Sequence, residues 1–295
     1  YGRDFFIGHK FAAVVIQKPF EHSKRMADSL NEYIGVRYRT RIVNVLGLTS
    51  FTQHIIDLQH PNETKTIPLY ITKNGENISH GKGMNLNHYK WLMSLGVNVV
   101  TMGNHTWHNK QIYSYIDEAS NIVRPYNYKE GLPGKGYVCV NYNGIKIVVF
   151  QMIGQTFMDE GNFSPFDKTD ELLETVEGDI YICDFHAEAT SEKIAYGHCF
   201  DGKIDVIYGT HTHVQTSDSR ILPNGTAYIT DVGMTGPLDG VIGTKKEIII
   251  NRFRHQAKEI FKPQDEGRKQ FCGLIVEINE ATRKVTKVDR INVLE

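Results

Sequence analysis

Two histidines one residue apart, in Gly209-Thr210-His211-Thr212-His213, are the sharpest chemical signal in this chain. On an extended backbone, side chains at i and i+2 point the same way, so the two imidazoles can grip neighbouring metal ions. Three further segments place lone-pair side chains just past an apolar run: Asn74-Gly75-Glu76-Asn77, Gly103-Asn104-His105 and Asp184-Phe185-His186. The carboxyl ends of strands in α/β sheets are where loops from several strands converge. Four such segments predict one pocket lined by oxygen and imidazole donors, which is what a metal site requires.

Each segment also has a plainer reading. Any one of the 13 histidines is more commonly a hydrogen-bonded structural residue. Gly103-Asn104 reads as a turn, because Asn tolerates the left-handed region and caps its own backbone, although a turn does not account for His105 and Trp107. Glu76 reads equally as a solvated turn carboxylate. Gly81-Lys82-Gly83, just after His80, brings a cation and backbone amides to a phosphate or is plain loop. Asp184 accepts the outer ring proton of His186 or faces away from it, and Asp231 is either a partner of that kind or a turn former at a strand end. The combination of segments favours the metal-site reading.

Positioning these side chains calls for buried strands with turns at their ends. Apolar, β-branched runs at 145–153, 179–185, 204–209 and 226–231 read as such strands, and 86–95, 166–175 and 190–195 read as helices. An antiparallel excursion over 270–293 is expected to close the sheet, and 41–47 reads as a strand in the less legible first 70 residues. Connections of very unequal length point to an α/β domain with mixed sheets rather than a strict βαβ repeat. One domain over 1–295 is expected, with an atypical part at 1–70.

Lys plus Arg number 33 against 34 Asp plus Glu, so no global field draws the chain to nucleic acid or a membrane surface. Any phosphate must be held locally. No window approaches the ~18 apolar residues of a spanning helix, and no secretion signal opens the chain, so a cytoplasmic protein is expected. The start at Tyr1 leaves native residues upstream an open reading. Cys139, Cys183, Cys199 and Cys272 show no CxxC pairing and read as buried free thiols.

The four segments, in their order, resemble the motif series of calcineurin-like metallophosphoesterases. The strings NGENISHGKG (74–83), VTMGNHTW (100–107), DFHAEATSEK (184–193), GTHTHVQT (209–216) and AYITDVGMTGP (227–237) are similar to the bacterial YmdB-like branch of 2′,3′-cyclic-nucleotide 2′-phosphodiesterases, from about residue 71 onward. The resemblance implies a sandwich of mixed β-sheets flanked by helices and two metal ions, with Fe, Mn or Zn suiting the donors. It implies that Glu76 bridges the metals, that Asn104, His186 and His211 complete one, and that His213 serves the other with Asn77 close by. His80 and Lys82 would meet the substrate. His105 would be no ligand; it would protonate the departing oxygen as metal-activated hydroxide attacks a 2′,3′-cyclic nucleotide or a related phosphodiester, RNA ends included. A homo-oligomer is compatible with all of this.

One departure stands out. The family's first strand ends in Gly-Asp, whose Asp binds the same metal as His213, whereas the nearest strand here, 41–47, runs into Gly47-Leu48. Leucine cannot ligate a metal; Asp57 and Asp4 are the available substitutes. The alternative to an enzyme is therefore a regulatory or binding protein that keeps the fold with a weakened or empty metal position.

Overall fold

The run at residues 145–153 has no polar face because both of its faces are covered. Ile147 and Val149 enter a core between two sheets, while Val148, Phe150 and Met152 pack with Leu172, Tyr196 and Phe200 from helices. A computed structural model describes the backbone at residues 10–17, 40–43, 54–57, 64–66 and 69–71. It describes backbone and side chains at 72–79, 81–94, 97–142, 144–158 and 162–294.

The described strands are, in chain order, β1 (Lys10–Gln17), β2 (Thr40–Val43), β3 (His54–Asp57), β4 (Thr64–Thr66), β5 (Leu69–Asn74), β6 (Val99–Thr101), β7 (Ile122–Val123) and β8 (Tyr137–Tyr142). There follow β9 (Ile145–Ile153), β10 (Ile180–His186), β11 (Val206–Thr210), β12 (Arg220–Ile221), β13 (Ala227–Ile229), β14 (Gly236–Pro237), β15 (Lys269–Asn279) and β16 (Val285–Leu294). The helices are α1 (Leu86–Ser94), α2 (Pro165–Thr175), α3 (Thr190–Cys199) and α4 (Lys246–His255).

One sheet runs β14-β15-β1-β5-β6-β7 with β16 on β15, and a second runs β12-β13-β11-β10-β9-β8. Within them β1, β5, β6 and β7 are parallel, as are β9, β10, β11 and β13. The expected long antiparallel pair is β15 and β16. Aliphatic residues of both sheets, among them Val99, Val149, Ile182, Val206, Leu274 and Val276, fill the interface between them. Outside, α2 and α3 cover the second sheet, and α1 with residues 110–116 covers the first through Met84, Leu92, Val100, Met102, Ile112 and Ile116. The result is the expected sandwich of mixed sheets flanked by helices.

Polar residues stitch the sheets together at one end. The Asp184 carboxylate, fully buried at the end of β10, accepts from Asn74 Nδ2 of β5 (3.0 Å), Thr101 Oγ1 of β6 (2.6 Å), Gln151 Nε2 of β9 (2.9 Å) and Thr210 Oγ1 of β11 (2.6 Å). A second buried link joins α3 to the residues after β13: Lys193 Nζ donates to Asp231 Oδ2 (2.8 Å) and to the Thr210 carbonyl (2.7 Å). Asp231 Oδ2 also accepts from the Thr212 backbone and hydroxyl, so this ion pair holds the turn carrying the two histidines. Gly209 has to be glycine, since a Cβ there would lie 1.7 Å from the Thr230 carbonyl oxygen.

Two expectations are corrected. The strand beside β5 is not the one expected at 41–47: residues 41–43 belong to β2, which pairs with β3 in a separate antiparallel sheet β2-β3-β4, and β1 occupies the main-sheet position, parallel to β5, with Gln17 opposite Asn74; residues 44–47 lie outside the described residues. The run Lys10–Gln17 is nearly all apolar and lacks the alternation that marks a half-exposed strand, as suits a central strand with neighbours on both sides, β15 antiparallel and β5 parallel. It contains no carboxylate. Asp57 ends β3 in the small sheet, Asp4 and Gly47-Leu48 lie outside the described residues. The cysteines are also only half as expected: Cys183 and Cys272 are buried, but Cys139 and Cys199 are exposed, one on the edge strand β8 and one at the end of α3. No described helix is long and apolar enough to cross a membrane.

Replacing Lys193 with Met leaves the Asp231 carboxylate buried without its counter-charge. The expected result is a loss of about 3–5 kcal/mol in unfolding free energy, read by urea denaturation. An unchanged midpoint would show that the pair does not hold the turn.

Candidate metal centre

The carboxyl ends of β5, β6, β10 and β11 meet where Asp184 joins the sheets, and their following residues face one another. Glu76 Oε2 lies 3.3 Å from His186 Nε2. Asn104 Oδ1 stands 2.9 Å and His211 Nδ1 3.1 Å from that same nitrogen. Ligand atoms of Glu76, His186 and His211 all fall within 4.8 Å of one another, and Glu76 and His186 are buried. Gly103 makes this approach feasible: a Cβ there would sit 2.2 Å from Glu76 Oε2 and 2.6 Å from His186 Cε1. Tyr128 donates its hydroxyl to the Gly103 carbonyl (3.1 Å), bracing the turn.

The proton on His186 is assigned by its neighbours. Thr210 Oγ1 spends its hydrogen on Asp184 Oδ1 and can only accept from His186 Nδ1, 2.8 Å away. Burial, followed by the adjacent His211, Lys193, His213 and His105, holds the His186 pKa well below its ordinary value. The ring is therefore neutral with Nδ1–H outward, leaving the Nε2 lone pair among a carboxylate oxygen, an amide oxygen and a second imidazole nitrogen. Several acceptors converging on one buried point need positive charge between them. Glu76, Asn104, His186 and His211 fit a divalent cation in donor type and in convergence.

Around this cluster the other expected residues take distinct places. Asn77 Nδ2 donates to Glu76 Oε1 (2.7 Å) and lies 3.3 Å from His213 Nε2. Asn77 thus stands between His213 and the Glu76 oxygen other than the one facing His186, with its amide nitrogen toward both. His105 touches Glu76 Oε2 through its backbone N–H (3.3 Å), and its ring turns away to His108, Nδ1 to Nδ1 3.2 Å. Lys82 is exposed, on a turn whose Gly83 N–H returns to the Glu76 carbonyl. His80 lies outside the described residues.

The two histidines of Gly-Thr-His-Thr-His do not share a face of an extended strand. Both adopt positive φ, 95° at His211 and 67° at His213, just after β11 ends. Such non-glycine residues carry about 1–3 kcal/mol of strain each and persist where the surroundings over-determine them. Nor does Asp184 hold His186 directly; the Thr210 hydroxyl stands between them. Asn74, Gln151, Thr210, His108 and Glu188 carry roles that sequence reasoning left unassigned. A usable signal existed for Gln151, the sole uncharged polar residue in IKIVVFQMI, because such a residue in a buried run needs partners.

The chain is similar to proteins already known. The family described as YmdB-like protein matches residues 38–291. A Bacillus subtilis protein named 2′,3′-cyclic-nucleotide 2′-phosphodiesterase is 48% identical over 231 residues, 78% of this chain and 87% of that protein. A putative phosphatase/phosphodiesterase of Mycoplasma pneumoniae is 40% identical over 228 residues, 75% of this chain and 81% of its own length. A crystal structure titled as a novel phosphatase from Mycoplasma pneumoniae superposes with a TM-score of 0.80 at 31% identity, covering 98% of this chain and 95% of that one.

Gly103→Ala tests the cluster directly. Its methyl would displace Glu76 and His186 from each other, so elemental analysis should find the metal content of the purified chain sharply reduced while circular dichroism shows the fold retained. Full metal content in this variant would place the cation elsewhere.

Proposed function

The chain belongs to the YmdB-like family, and from that membership we propose that it is a metal-dependent phosphodiesterase acting on 2′,3′-cyclic nucleotides or related phosphodiesters. The observation that carries the reading is the convergence of Glu76, Asn104, His186 and His211 lone pairs on one point. These four would hold one ion. Glu76 Oε1 and His213 Nε2, with the Asn77 amide between them, would hold a second. Bound there, metal ions supply positive charge to the phosphate and make water a competent nucleophile near neutral pH.

The chain's own residues supply the rest. Cleaving the 2′ bond of a cyclic phosphate releases a ribose alkoxide, a poor leaving group that needs a proton as it departs and leaves a 3′-phosphate. His105 is suited to deliver it, because its backbone is tied to Glu76 Oε2 while its ring is not among the converging ligand atoms. With Nδ1 turned to His108, Nε2 is the ring nitrogen of His105 that would serve the leaving oxygen. Lys82, exposed on the turn that returns to the Glu76 carbonyl, would meet the substrate's charge.

A second reading has one specific support. Lys10–Gln17, which lies where the family's first strand is expected, brings no carboxylate to the His213 side. A chain with that position unfilled would bind nucleotide without turning it over. Metal stoichiometry measured beside hydrolysis of 2′,3′-cyclic AMP separates the two: two metals per chain with turnover supports the enzyme, whereas one or none without turnover supports the binding protein.

His105→Ala is expected to lower turnover by roughly 10²- to 10⁴-fold with metal content unchanged. Loss of metal in that variant would refute its acid role. His211→Ala should instead lose a metal, and an unaltered stoichiometry would show that His211 is no ligand. Chelation should abolish hydrolysis in the unmodified chain, and added Mn²⁺ should restore it.

A further inference from the structure

We infer that Glu188 is a positioning residue for His211, selecting which ring nitrogen faces the metal cluster; the inference rests on the reading of His211 as a ligand. Glu188 Oε2 lies 3.2 Å from His211 Nε2, the nitrogen on the far side of the ring from the 3.1 Å contact with His186. A carboxylate can only accept, so at this distance it favours the tautomer that carries its hydrogen on Nε2. A neutral imidazole carries one ring hydrogen, and Nδ1 is then the lone pair turned inward. His186 is treated in mirror image, with its outward Nδ1 on Thr210 and its inward nitrogen Nε2. Each of the two histidines is thus held from behind by an oxygen.

The need for such a hold differs between them. His186 is the last residue of β10, buried, with a ladder on both sides. His211 follows the end of β11, at φ 95°, in a bend where no strand pairing orients the ring. Glu188 is well placed to supply orientation from a fixed base. It stands in the bend between β10 and α3, after Ala187, which is buried, and the His186 carbonyl accepts from Gly154 N (2.9 Å). Its side chain is 47% exposed and that of His211 22%, so solvent screens the charge, and what remains is direction. Partners behind metal-binding histidines fix tautomer and ring orientation, and their loss typically weakens metal affinity.

The test is titration of the metal-free full chain with Mn²⁺ by calorimetry, in parallel for Glu188→Ala, Glu188→Gln and His211→Ala. Glu188→Ala is expected to bind Mn²⁺ roughly 10- to 100-fold more weakly at one position, with the metal-free melting temperature unchanged. Glu188→Gln, whose amide oxygen accepts the same hydrogen bond, should recover most of that loss. If His211→Ala binds weakly while Glu188→Ala matches the unmodified chain, the positioning role fails and the ligand reading stands. Gln behaving like Ala also overturns it, because charge rather than an acceptor would then be what matters. Unweakened binding by His211→Ala would overturn the ligand reading and this inference with it.

Discussion

The carboxylate of Asp184 lies between the two sheets, and four donors from four other strands close on it. A buried charge is costly, and burial pushes this carboxyl up to about 6 even though the hydrogen bonds from Asn74, Thr101, Thr210 and Gln151 pull the other way. The geometric effect of these hydrogen bonds is to clamp the carboxyl ends of β5, β6, β9, β10 and β11 in one arrangement. All the metal-site side chains of the main cluster project from just beyond those ends.

Through Thr210 the clamp also determines chemistry. The hydroxyl that binds Asp184 decides which nitrogen of His186 keeps its hydrogen, and thereby which lone pair is offered to a cation. The site is thus prepared in stages: strand ends are tied, a tautomer is selected, and lone pairs are crowded. The strain at His211 and His213 is tolerated because Lys193 and Asp231 grip Thr210 and Thr212 from beneath. Glycine 103 supplies the remaining condition, an empty volume where any side chain would collide with Glu76.

The two sides of the Glu76 carboxylate are unequally furnished with donors. On the His186 side an oxygen, an amide oxygen and two imidazole nitrogens converge, whereas the His213 side offers one imidazole, the second oxygen of Glu76 and an amide nitrogen. The strand beside β5 that would bring an additional carboxylate is Lys10–Gln17, which has none. A hard cation binds more weakly where fewer anionic oxygens meet it.

Much of this was legible in the chain itself. The lone-pair residues stand immediately after apolar runs, so Glu76, Asn104, His186, His211 and His213 could be marked, and the sheets and covering helices followed from uninterrupted runs and helical spacing. What sequence determined was which residues carry donors and that they lie at strand ends. Tertiary structure alone decided which nitrogen each histidine presents, that Asp184 reaches His186 only through Thr210, that Asn77 turns its nitrogen inward, and that β1 rather than 41–47 lies beside β5. The reason is physical: local propensity sets the strands, but a ring's tautomer and direction are set by partners remote in the chain, such as Asn74 and Asp184, 110 residues apart. No local pattern encodes that meeting; it exists only once the two sheets have packed.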